Sequence, residues 1–272
     1  MRKITVIGLV GNSVFLNVDK FHVGGETVEA HGIHRELGGK GFNQAVAAAR
    51  FGADVCFVSA VGKDECKTEC EAFLKDEGIK PILFAKEEGS AFAAIITDAS
   101  GANRVTEYIG AKLDIQDVEA IRDEIASSDI LMLSNEVPQE VNELAADIAY
   151  KNGVKIILNP APYRKANKDY LDKIFLFTPN EYEAKDLDDY KNVIQTLGAK
   201  GCLIKETGKI VPGLNLKPVD TTGAGDTFNG ALAASLVLDG DILKAVEVAI
   251  KASGISVTKK GAVSSIPRKN EI

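Results

Sequence analysis

The stretch with the clearest chemical potential is Asp220-Thr221-Thr222-Gly223-Ala224-Gly225-Asp226-Thr227-Phe228-Asn229-Gly230. It follows a short extended run at 214–219 and opens an Ala/Leu-rich segment with helical spacing. Small residues at 223–225 let a ligand come close to the backbone, and a helix start turns unsatisfied N–H groups toward it. Such donors neutralise an anion where negative charge develops, which is the main requirement of phosphoryl transfer. The local dipole favours the charged form of an aspartate in the first turn. Asp226 is therefore a candidate general base for a hydroxyl proton, with the amides of Gly223, Ala224, Gly225 and Asp226 as the anion hole. From these residues alone, a tight turn with Asp226 as its capping residue reads equally well, because Gly-rich helix starts are common.

Other nucleotide motifs are missing. A dinucleotide fingerprint needs G-x-G-x-x-G straight after the first strand and an acidic residue about 20 positions on. Gly8-Leu9-Val10-Gly11 does not fit it, which disfavours a dehydrogenase, and no G-x-x-x-x-G-K-[ST] loop is present. The formal net charge of −7 argues against a nucleic-acid protein, which normally shows a basic face. It leaves phosphate binding open, since backbone amides can supply that site.

The four cysteines, Cys56, Cys66, Cys70 and Cys202, read as reduced thiols of an intracellular chain. Cys66 and Cys70 share a predicted helix, but no histidine lies nearby to complete a zinc site. His22, His31 and His34 read as surface residues. The apolar stretch after Met1-Arg2-Lys3 is too short for a signal segment, and no run approaches a bilayer span, so a cytoplasmic location without membrane contact is expected.

These groups need a scaffold. Unbroken apolar runs at 4–10, 55–60, 130–133, 154–158, 174–177 and 202–204 suit strands covered on both faces. Amphipathic helical patterns intervene at 41–51, 66–76, 115–126, 139–152, 181–188, 226–238 and 242–251, and Gly52, Gly78 and Gly153 stand where helices close. The alternation predicts one α/β domain over 1–272, a doubly wound, mainly parallel sheet with helices on both faces. Residues 12–36 alternate like strands without a helix, and 91–110 read as a hairpin turning at Ala99-Ser100-Gly101. Together they predict a small β-sheet at one edge, either a pair of surface meanders or a lid over the site. Exposed apolar positions on such a sheet would pair two subunits as a homodimer.

The 220–230 run resembles the C-terminal signature of the ribokinase/PfkB carbohydrate kinase family. Leu37-Gly38-Gly39-Lys40-Gly41-Phe42-Asn43-Gln44-Ala45 resembles its N-terminal signature. The likeness continues at Gly25-Glu26-Thr27, Asn159-Pro160-Ala161-Pro162, Thr178-Pro179-Asn180-Glu181-Tyr182-Glu183, Thr196-Leu197-Gly198-Ala199-Lys200-Gly201 and Lys260-Gly261-Ala262. It spans nearly the whole chain and implies a ribokinase-like fold that phosphorylates a small sugar, on a primary hydroxyl, with ATP, Mg²⁺ and K⁺. By resemblance, Gly38, Gly39, Lys40, Asn43 and Glu136 hold sugar hydroxyls. Asn180 and Glu183 support the phosphates and, through water, Mg²⁺, while Thr196, Gly198 and Gly201 line the nucleotide site. Asp226 falls on the family's base. Asp220, Thr222, Ser256, Lys259, Gly261 and Ser265 match positions around a monovalent cation. Sequence logic agrees on location, because Gly11, Glu136, Asn159 and Asn180 all follow the C-terminal ends of predicted strands, the edge where open parallel sheets bind ligands.

One departure stands out. Such enzymes carry an Asn and an Asp shortly after the first strand, and an ungapped alignment from Gly8 to Phe21 puts Gly11 and Ser13 there. A hydroxyl does not replace a carboxylate that accepts two charge-assisted hydrogen bonds. Asn12 compensates in part only if the loop shifts by one residue. The departure leaves the sugar unnamed. A nucleoside kinase on the same scaffold and a non-catalytic sugar or nucleotide sensor are the alternatives. No obvious aromatic cluster awaits a base, and an intact Asp226 would serve no purpose in a sensor.

Overall fold

Five of the six predicted apolar runs lie side by side in one parallel sheet. The computed structural model describes residues 2–272. In chain order come β1 (Lys3–Ile7), β2 (Gly11–Val18), β3 (Ala30–Gly38), α1 (Lys40–Arg50), β4 (Asp54–Gly62), α2 (Glu65–Asp76) and β5 (Lys80–Lys86). Then follow β6 (Ala91–Thr97), β7 (Asn103–Tyr108), α3 (Ile115–Ala120), α4 (Arg122–Ala126), β8 (Ile130–Ser134), α5 (Gln139–Lys151) and β9 (Lys155–Asn159). The last third holds α6 (Lys168–Leu171), β10 (Leu176–Phe177), β11 (Ile194–Thr196), β12 (Cys202–Ile204), β13 (Lys209–Val211), α7 (Ala224–Asp239) and α8 (Ile242–Ser256).

The main sheet has the order β10-β9-β8-β1-β4-β5, and all five strand pairings are parallel. Side chains of a strand alternate between faces. Ile4 and Val6 of β1 pack with α1, α7 and α8 on one side, while Ile7 joins a second core with α3, α4 and α5 on the other. Central strands buried on both faces are mostly apolar, with Thr5 of β1 and Ser59 of β4 as buried polar exceptions, which is why the sequence shows them as runs. The doubly wound α/β class follows directly from these two cores.

Three local expectations change. Residues 202–204 lie outside the parallel sheet. As β12 they pair antiparallel with β11 and β13 in a separate three-stranded sheet, because the Thr207–Gly208 turn folds Lys209–Val211 straight back onto them. Residues 181–188 form only a 3-10 turn, Glu183–Asp186, since exposed Tyr182 and the acidic positions around it supply no apolar stripe. The 115–126 helix divides at Ile121, which ends α3 and starts α4. In addition, β5 was not foreseen; it is an edge strand of mixed burial with Pro81 in it.

The remaining strands form a four-stranded sheet, β3-β2-β6-β7. β2 follows β1 after only Gly8, Leu9 and Val10, so this sheet hangs at the C-terminal edge of the main one. Its register sets Ser13 beside Ala93 and Ala93 beside Glu107. It likewise sets Phe15 beside Ile95 and Ile95 beside Val105.

Candidate active site

The helix opening at α7 behaves as its residues require. Gly223 caps it at φ 72°, a left-handed conformation that costs glycine nothing. Thr227 N–H closes the first turn onto the Gly223 carbonyl at 2.8 Å. Ala224 N–H reaches the Thr221 carbonyl at 3.3 Å, so it is partly spent. Among the described residues, the amides of Gly223, Gly225 and Asp226 have no acceptor. Three donors are therefore free at the helix mouth, where four were expected.

Asp226 is placed by a close helix crossing. A β-carbon on Gly230 would lie 2.3 Å from the Gln44 carbonyl, so α7 and α1 touch backbone to backbone at that point. One turn earlier on α7, Asp226 meets α1 side chains. Asn43 Nδ2 donates to its Oδ2 at 2.9 Å, and Gln44 Nε2 to its Oδ1 at 3.2 Å. Gln44 also reaches Asn159 Oδ1 at 3.3 Å, and Asn159 Nδ2 donates to the Thr178 carbonyl at 2.9 Å. Asp226 is only 8% exposed. Burial raises its pKa, while Lys40, Asn43 and Gln44 pull the other way and offset only part of that rise.

The α1 start supplies the cation. Gly39 precedes it at φ 124°, and a β-carbon there would fall 2.3 Å from the Leu9 carbonyl, so no other residue fits. Having no side chain, Gly39 cannot cap α1. Glu136, just past β8, does so instead, its Oε2 accepting from the amides of Lys40 at 2.7 Å and Gly41 at 3.3 Å. Burial pushes half-buried Glu136 up to about 8 against the pull of Lys40 and these amides. Burial opposes the charge on Lys40, but Asp226, Glu136, Glu183 and Glu107 more than offset it and its pKa stands above the ordinary lysine value.

These groups share a cleft of about 230 Å³. Gly11, Ser13, Gly38, Gly39, Lys40, Asn43, Glu136, Thr222, Gly223 and Asp226 all line it, and the four-stranded sheet forms its opposite wall. Asn180, Glu183, Thr196, Gly198 and Gly201 lie outside that lining. They gather beyond the end of β10, where Asn180 pairs with Thr196 as an isolated bridge. Asn180 Oδ1 accepts from the amides of Tyr182 and Glu183, and Glu183 Oε2 accepts from Asn180 N–H, each bond 2.9 Å long.

Residues 1–269 match the description "pfkB family carbohydrate kinase". The chain belongs to the pfkB family of carbohydrate kinases. It is 38% identical to the ribokinase of Haemophilus influenzae over 299 aligned positions, covering 100% of this chain and 97% of that one. A ribokinase structure from Thermotoga maritima superposes with a TM-score of 0.89 at 33% identity, covering 100% and 98% of the two chains. A ribokinase of Cryptococcus neoformans var. grubii, solved in complex with ADP, superposes with a TM-score of 0.83 at 27% identity, again covering 100% and 98%.

In this carbohydrate kinase two further loops come together behind the α7 mouth. Asp220 Oδ1 accepts from the Thr222 amide at 2.9 Å and hydroxyl at 2.7 Å, and its Oδ2 accepts from the Gly261 amide at 3.0 Å. Burial opposes its charge, yet these bonds hold its carboxyl below the usual range. The hydroxyls of buried Ser256 and Ser265 donate to the carbonyls of Ser253 and Ala262, both at 2.8 Å. The Lys259 ammonium turns away to Glu271 at 2.8 Å. Among the described residues, no helix is long and apolar enough to cross a membrane.

Two positions that contribute to the site carried no assigned role in the sequence. Gln44 had a faint signal, a polar residue inside an otherwise Ala/Val-rich helix that proves almost fully buried. Glu36 had none. Its carboxylate accepts from the amides of Ala262 at 2.6 Å and Ser264 at 3.2 Å, tying β3 to the 261–264 loop across 226 residues of chain.

Proposed function

We propose that this kinase transfers the terminal phosphoryl group of ATP to a primary hydroxyl of a small sugar, with Asp226 as the general base. One observation carries the reading: a buried carboxylate stands beside three unpaired amides at one helix mouth, at the end of a cleft floored by Lys40 and Asn43. Asn43 and Gln44 each occupy one lone pair of Asp226, which fixes the side chain and leaves lone pairs to take the hydroxyl proton. Its raised proton affinity suits it to that task. The amides of Gly223, Gly225 and Asp226 hold the phosphoryl oxygens, and the Lys40 ammonium balances charge beside them.

The sugar lies between the α1 start and the four-stranded sheet, which acts as a lid. Gly38, Gly39, Lys40, Asn43 and Glu136 meet its hydroxyls from one side, and Gly11 and Ser13 from the other. Asn180, Glu183, Thr196, Gly198 and Gly201 take the nucleotide. Mg²⁺ fits this arrangement: Glu183 spends Oε2 on the Asn180 amide and keeps Oε1 for a metal-bound water. The ion supplies charge neutralisation on the phosphates. K⁺ fits the Asp220, Thr222, Ser256, Lys259, Gly261 and Ser265 loops, whose oxygen donors suit a hard cation, and it would stiffen the backbone behind the anion hole. Ile33, which lies outside the cleft lining, stands exposed on the lid, where a second copy of the chain would cover it.

The test is ADP release from Mg·ATP against pentoses, hexoses, polyols and nucleosides. Turnover with one or more free sugars is expected. Turnover with nucleosides alone would replace the sugar by a nucleoside, and no turnover with any acceptor would leave a sensor.

A further inference from the structure

The lid carries a carboxylate that no partner claims. Ser13, Ala93 and Glu107 sit side by side on β2, β6 and β7, so their side chains share one face. All three line the cleft. Ser13 and Glu107 stand two strand spacings apart, about 10 Å between backbones. Only the methyl group of Ala93 fills the floor between them, which leaves the width of a sugar ring. Glu36 continues the same row beyond Ser13, but the Ala262 and Ser264 amides occupy its carboxylate. Glu107 is exposed, and among the described residues no hydrogen bond or ion pair engages it. It shares the face of Ser13 and Ala93 and lines the cleft with them, so it faces inward.

We propose that Glu107 is a specificity-determining residue that grips hydroxyls of the acceptor at the end remote from Asp226. It does the work that a carboxylate at position 13 would do, approaching from β7 rather than from β2. With Asp226 and Glu136 also anionic or polar in the same cleft and Lys40 the sole cation among the described residues that line it, the acceptor is an uncharged polyhydroxyl sugar, not a sugar phosphate or sugar acid.

The inference rests on the sugar-kinase reading, and its test separates the two. Initial rates of ADP release are measured with D-ribose and Mg·ATP for wild type, Glu107→Gln and the double variant Ser13→Asp/Glu107→Gln. Glu107→Gln is expected to raise KM for ribose about 10- to 100-fold, the scale of one hydrogen bond to a charged group. KM for ATP and kcat should hold, because the lost contact binds ground and transition states alike. Moving the carboxylate along the row in the double variant should restore most of the affinity for ribose. An unchanged KM for ribose in Glu107→Gln overturns the proposal. So does an equal rise in KM for ATP, or a lowered unfolding temperature that Ser13→Asp leaves unrepaired, either of which marks a merely structural residue. A wild type inactive with ribose is assayed in the same way with the free sugar it does turn over. One that turns over no sugar fails at the earlier step and takes down the sugar reading with it.

Discussion

Gly230 of α7 lies so close to the Gln44 carbonyl of α1 that a single added methyl would fall 2.3 Å from that oxygen. This contact decides where Asp226 stands, since the residues bonding its carboxylate, Asn43 and Gln44, belong to the helix that Gly230 admits. Gly230→Ala should push the two helices apart. A loss of about 1–3 kcal/mol in unfolding free energy is expected from overpacking. A fall in kcat should accompany it without matching loss of ATP binding. Denaturant unfolding and steady-state kinetics on the same preparation check both.

Asp226→Asn keeps the size of the side chain and removes its proton affinity. Turnover is expected to drop at least ~100-fold, the scale of lost general-base catalysis, with ADP binding retained. Calorimetric titration with ADP beside the rate assay distinguishes a lost base from a collapsed site. A variant that turns over at near-normal rate would remove Asp226 from the chemistry.

Glu136 makes the stability of the free protein pH-dependent. Its carboxyl is pushed from an ordinary value near 4.5 to about 8 in the fold. Between those two values the folded state holds the proton that the unfolded state has released, so this residue's contribution to stability falls as pH rises through that window. Glu136→Gln keeps a carbonyl acceptor for the Lys40 amide and carries no charge. The unfolding temperature of wild type should therefore decline relative to Glu136→Gln from about pH 4.5 to pH 8 and run parallel above it. Parallel curves throughout the window would show that Glu136 ionises normally.

Asp220 holds the loop after it to Gly261, and the proposed cation acts on the same backbone. Activity is expected to rise with K⁺ over Na⁺ or choline. Asp220→Ala should abolish that response and lower the unfolding temperature, since Thr222 and Gly261 lose an anionic acceptor worth about 1.5–3 kcal/mol per bond. Rates that ignore the cation in wild type would remove the site from the account.

What could be read from the chain alone follows from short-range physics. Strands buried on both faces are apolar at nearly every position, so 55–60 and 130–133 declare themselves as runs. Gly223, Ala224 and Gly225 before Asp226 mark a helix mouth bare enough for a ligand, because small residues and an unpaired first turn are properties of neighbours in sequence. Contacts between distant positions leave no such trace. Asn43 reaches Asp226 across 183 residues, Glu36 reaches Ala262 across 226, and nothing near any of them announces the partner. The run at 202–204 has the apolar composition of a core strand, and only the turn after it sends it to a separate sheet. Glu107 reads in sequence as one more charge on a hairpin. The pairing of β7 with β6 and of β6 with β2 is what turns it toward the cleft, because strand register, set by long-range packing, decides which face a side chain takes.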